Sequence, residues 1–82
     1  MTIQYWDEPV DVTLDGFDHR RTIVATFYAC ECLLTLWPNR QGPAYEQALK
    51  TCAEAVRSGT VDHAMARTAF IEAAREARVL TA

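Results

Sequence analysis

The six glycines and prolines of this chain, Pro9, Gly16, Pro38, Gly42, Pro43 and Gly59, all fall between stretches of regular hydrophobic spacing. Such residues break or redirect the backbone, so they divide the 82 residues into a short hairpin region and three segments long enough for helices. This length favours a single domain over 1–82 with one core. A chain this short buries only about 60% of the surface its unfolded form exposes, which commits most large apolar side chains to packing. The expected fold class is α+β: an N-terminal antiparallel β-hairpin, about 9–25, packed on a single layer of three α-helices, about 27–37, 43–58 and 61–79, in the order β-β-α-α-α.

Val10, Val12 and Leu14 alternate with Asp11 and Thr13, the period of a half-buried strand, and Thr22, Ile23 and Val24 supply its β-branched partner. Asp15-Gly16 signals a turn between them. A two-residue turn there would set His19 and Arg21 opposite Val12 and Val10 on the buried face, so a longer loop through about Arg20 is expected, with Ile23 inward.

Thr26 is the expected N-cap of the first helix and Pro38 its stop. Ala29, Cys30, Leu33, Leu34, Trp37 and Phe27 form so broad an apolar face that this helix is expected in a central position, covered on two sides. Pro43 suits the first turn of the second helix and Gly59 its C-terminal cap, with Tyr45, Ala48, Leu49, Cys52 and Val56 inward. Thr60 is the expected N-cap of the third, with Asp62 in its first turn, and Ala66, Ala69, Phe70, Ala73 and Ala77 form a small-residue face that allows close helix approach.

Taken as a string, the landmarks are Pro9-Val10, Val12, Arg21, Ile23, Ala29, Leu33 and Trp37-Pro38, then Gly42, Tyr45, Ala48, Cys52, Ala55 and Gly59. The run Ala66-Arg67-Thr68-Ala69-Phe70-Ile71 with Ala73-Ala74 and Glu76-Ala77 completes them. This pattern resembles the short bacterial proteins catalogued as domain of unknown function 982, from Pro9 to Ala77, with Trp-Pro and Ala-Arg-x-Ala-Phe its most specific parts. The resemblance implies a compact stand-alone domain and brings no catalytic motif.

The net charge of -3 argues against general nucleic-acid binding, which needs a concentrated excess of Lys and Arg. Asp7, Glu8, Asp11, Asp15 and Asp18 all precede Arg20, making the N-terminal segment an acidic surface. Met1 to Trp6 lacks the features of a leader, and no stretch has the roughly 20 apolar residues needed to span a bilayer. An odd set of three cysteines without scaffold spacing fits a reducing compartment. The expectation is therefore a cytoplasmic protein, with no membrane and no nucleic acid among its partners.

Cys30 and Cys32 point about 200° apart on a helix and cannot face one ion, so neither a metal nor a cofactor is expected. Cys52 reads as a small core hydrophobe. His63 reads as a packing or capping residue, His19 as solvent-exposed, and Asp15 and Asp18 as turn residues. Trp6 and Trp37 are expected to anchor the core edge with their indole N–H groups seeking partners.

Arg67, Ile71, Arg75 and Arg78 form a candidate strip for a partner or an anion, which Glu72 and Glu76 partly neutralise and which Arg20 and Arg21 would join if the hairpin packed alongside. Leu36, Val61 and Met65 lie off the main faces and form a candidate interface. The function these features favour is a non-enzymatic protein-interaction module, self-association being one form. The alternative is a small-ligand-binding domain or minor enzyme using a cleft between helices near His63 with Arg67 or Glu31.

Overall fold

The computed structural model describes residues 5–14, 20–38, 41–58 and 62–81. They form β1 (Tyr5–Thr13), β2 (Arg20–Ala25), α1 (Thr26–Thr35), α2 (Pro43–Arg57) and α3 (His63–Ala77), the α+β order expected from the chain's punctuation. The strands pair antiparallel with Val10 opposite Ile23, Asp11 opposite Thr22, Val12 opposite Arg21 and Thr13 opposite Arg20. Val10, Val12, Leu14 and Ile23 are all buried, so the alternation sets the core face and Ile23 points inward. Pairing that opens at Thr13 and Arg20 agrees with a loop longer than two residues. The Asp15-Gly16 signal and His19 lie outside the described residues.

Two features of the sheet differ from expectation. β1 starts at Tyr5, well before Pro9, because the register shifts between Tyr5 and Val10. This bulge turns Trp6 into the core and accommodates Pro9, which has no N–H to give a ladder. The last helix also stops short of residue 79. Arg78 adopts a left-handed conformation (φ 60°, ψ 37°), and the Arg78 and Val79 N–H groups bond back to the Arg75 and Ala74 carbonyls. That reversal returns the chain along β1, where the Thr13 N–H donates to the Val79 carbonyl at 2.8 Å and the Thr81 N–H to the Asp11 carbonyl at 2.9 Å.

Phe70 of α3 is fully buried, with its ring centroid 5.9 Å from that of Trp6 and 5.5 Å from that of Trp37. Ala66, Ala73 and Ala74 are also fully buried, so the helix built from small residues is the enclosed one. α1 is not enclosed. It touches β2, α2 and α3, but Phe27, Tyr28 and Leu34 on its outward side stay exposed, as does Leu36 just beyond it. Close packing of α3 also rotates the inner stripe of α2. Thr51 and Ala55 are buried beside Tyr45, Ala48 and Cys52, whereas Leu49 is half-buried and Val56 exposed.

The junctions explain why the helices hold these places. Pro43 occupies the first turn of α2, as expected, and the Glu76 carboxylate of α3 accepts from the Ala44 and Tyr45 N–H groups at 3.3 and 3.1 Å. Gly42 (φ 114°) makes room for that carboxylate, because a Cβ there would lie 2.5 Å from Glu76 Oε2. The Tyr45 hydroxyl donates to the Leu33 carbonyl at 3.0 Å, satisfying one of the acceptors left open where α1 ends. Gly59, the expected cap of α2, and Thr60, the expected cap of α3, lie outside the described residues. Asp62 performs the N-cap role instead, accepting from the Ala64 N–H at 2.9 Å, so α3 starts two residues later than expected.

Candidate functional site

Concave regions border this core. One of about 590 Å³ lies between the start of β1 and the start of α3, not between two helices. His63 and Arg67 sit one helical turn apart and both line it, facing Tyr5, Asp7 and Glu8 of β1. The Arg67 Nε–H donates to the Glu8 carbonyl at 2.8 Å, and its guanidinium lies 3.8 Å from the Glu8 carboxylate. Glu31, the other partner considered for His63, lies elsewhere, beside Arg20 and Arg21.

Behind this cleft a hydrogen-bonded row fixes the imidazole. The Trp6 indole N–H donates to Thr26 Oγ1 at 2.9 Å, and that hydroxyl lies 2.7 Å from His63 Nδ1. With one lone pair taken by the indole, the hydroxyl can give its own proton to Nδ1. Thr26 therefore does not cap α1, which has Ala25 at its N-cap and no side-chain cap bond. A hydroxyl beside an imidazole is the arrangement of a nucleophile and its base. Here the threonine is fully buried and so closed to a substrate, and the pair acts to hold β1, α1 and α3 together.

The second cleft, about 330 Å³, lies between β2 and α1 and is lined by Arg20, Arg21, Thr22, Ile23, Tyr28, Glu31, Cys32 and Leu36. The third, about 360 Å³, is a shallow apolar groove between α2 and α3 where Met65 is 62% exposed. Arg20 and Arg21 thus border the cleft beside α1 and do not extend the arginine strip of α3, because it is β1 that packs on α3.

The chain's other candidate residues are dispersed. Along α3, Arg67 is engaged with Glu8, Ile71 is half-buried against the core, Arg75 pairs with Glu72 at 3.4 Å, and Arg78 serves the helix reversal. Leu36 and Met65 are both exposed but line different clefts. Val61 lies outside the described residues. The three cysteines are free thiols. Burial pushes the Cys32 thiol up to about 11, with Arg21 partly opposing and Glu31 adding to the rise. Burial likewise pushes Cys52 up to about 12, with Cys30 adding, and raises Cys30. Among the described residues no group of three His, Cys, Asp or Glu side chains converges as a metal site would require.

The family model described as protein of unknown function (DUF982) matches residues 8–81. The chain belongs to this family. Comparisons of the DUF982 chain with curated proteins and with solved structures give no match. No described helix is long and apolar enough to cross a membrane.

Sequence reasoning missed the acidic wall of the cleft at His63 and Arg67 and the role of Thr26. Glu8 meets Arg67 across 59 residues and Thr26 meets His63 across 37, separations at which local spacing carries no signal. The one legible element was the i, i+4 relation of His63 and Arg67.

Proposed function

We propose that this DUF982 chain is a non-enzymatic protein-interaction module of the bacterial cytoplasm, docking through the outward side of α1, with a homodimer as one form of that docking. The observation that carries this reading is the exposure of Phe27, Tyr28, Leu34 and Leu36 along and just beyond α1, each between 38% and 52% exposed in a chain whose other large side chains mostly serve the core. Phe27 and Tyr28 pack edge to face, ring centroids 5.5 Å apart, which keeps two aromatic rings at the surface in one place. Exposed aromatic and aliphatic side chains on one helix are the material of interface hot spots.

Leu34→Asp tests it, since Leu34 is 52% exposed and a charge there costs the fold little. The tagged wild-type protein should retain a specific partner, or a second copy seen by light scattering at micromolar concentration, and the variant should lose it with an unchanged melting temperature. Identical partners for both proteins, with both monomeric, would remove α1 as the docking face.

A second reading, small-ligand binding, is favoured by the convergence of His63 and Arg67 on one cleft of ligand size. A thermal-shift screen should then find a compound that stabilises the wild type but not Arg67→Ala; stabilisation of both proteins alike would place the ligand elsewhere.

A further inference from the structure

Alternate residues of an antiparallel strand aim their N–H and C=O groups at opposite neighbours. In β1 the Thr13 N–H and the Asp11 carbonyl are taken by Val79 and Thr81 of the C-terminal segment, so Val10 and Val12 turn theirs toward β2, where Ile23 and Arg21 stand opposite. Arg20, Thr22 and Val24 consequently aim their backbone groups away from β1. Among the described residues no backbone group bonds to them on that side.

This open edge borders the cleft of about 330 Å³, which touches the consecutive residues Arg20 to Ile23. Successive strand side chains point to opposite faces, so a cleft that reaches all four runs along the edge itself. Its other wall is α1, through Tyr28, Glu31 and Leu36. Arg20 and Arg21 have no ion pair among the described residues; Glu31 lines the cleft with them, and the Asp11 carboxylate beside Arg20 is held by the Thr22 hydroxyl. Basic side chains repel a cationic or second Arg-bearing edge and attract an acidic one.

We propose that the outer edge of β2 accepts an extended acidic segment of a partner protein as an added strand, its backbone bonding to Arg20 and Thr22, its carboxylates meeting Arg20 on one face of the sheet, and its apolar side chains resting on Tyr28 and Leu36 on the other, beside Arg21. This rests on the interaction-module reading and names the chemistry of the partner, but uses the β2 edge where that reading uses Phe27 and Leu34.

The probe is a fluorescent ten-residue peptide of alternating Glu and Val, with an alternating Lys and Val peptide as control, followed by anisotropy and by amide shifts in the full chain. The Glu peptide should bind saturably, weaken with salt, and shift the Arg20, Thr22 and Val24 amides; the Lys peptide should not bind. Thr22→Pro removes the outward N–H of an edge residue together with the hydroxyl bond to Asp11, and leaves the ladder to β1, so it should weaken binding by about tenfold. Thr22→Val, which loses the hydroxyl bond to Asp11 but keeps the N–H, should bind within about twofold of wild type.

No saturable binding of the Glu peptide, equal binding of the Lys peptide, or unchanged affinity in a folded Thr22→Pro variant would each overturn strand addition. Concentration-dependent shifts at the same amides without peptide would make the occupant a second copy and overturn the acidic partner. If Leu34→Asp abolishes partner binding and Thr22→Pro does not, the interaction module stands and the added strand falls.

Discussion

Trp6 and Trp37 show how much the surroundings of one polar atom decide. Both indoles flank Phe70 and are almost fully buried, so replacing either with phenylalanine removes the same atoms from the same cluster. Their N–H groups differ: Trp6 donates to Thr26, whereas Trp37 Nε1 is buried without an acceptor among the described residues. A buried donor that is unpaired costs roughly 1–3 kcal/mol, and a made bond contributes about 1 kcal/mol. Trp6→Phe should therefore destabilise more than Trp37→Phe by about 1 kcal/mol or more in urea denaturation, because the first breaks a bond and the second relieves an orphan. Equal losses would show that the bond from Trp6 to Thr26 adds nothing.

At the level of elements, what could be read from the sequence was whatever depends on neighbours in the chain. Val10, Val12 and Leu14 declare a strand face by alternation, and Pro43 marks the start of α2 because its missing N–H is harmless in a first turn. The extent of β1 was hidden, since Trp6 to Pro9 form a bulge that breaks the alternation on which recognition depends. Arg78 likewise gave no sign that it ends α3, because a left-handed cap is ordinarily glycine. The faces of α1 and α2 were misjudged for another reason. Hydrophobicity alone ranks Val56 and Leu34 as inward, but on α2 the close approach of the α3 alanines buries Thr51 and Ala55 and leaves Val56 outside, and on α1 the side that bears Leu34 stays exposed. Of the candidate sites, the pairing of His63 with Arg67 was legible at one turn of helix. The β2 edge became visible only when the bonds from Thr13 to Val79 and from Thr81 to Asp11 fixed which way the backbone of β1 faces.

For the whole molecule, the convergence of three helices makes folding itself depend on pH through thiols. Cys32 and Cys52 are buried at 3% and 0% exposure, and each is harder to ionise in the fold than the ordinary thiol value of 9.0. Below pH 9 both folded and unfolded chains hold the thiols protonated, and stability is independent of these groups. Above it the unfolded chain loses those protons while the folded chain keeps them toward pH 11 for Cys32 and pH 12 for Cys52. The unfolded state then binds fewer protons, so stability falls as pH rises, by at most about 1.4 kcal/mol per pH unit for each thiol. Urea titrations under reducing conditions from pH 7 to 11 should show a steeper alkaline decline for the wild type than for a Cys32→Ala, Cys52→Ala double variant. It is the slope that discriminates, because the small cavities left by alanine lower stability equally at every pH. Parallel slopes would mean that solvent reaches both sulfurs in the folded chain, contrary to the packing of α1 and α2 around them.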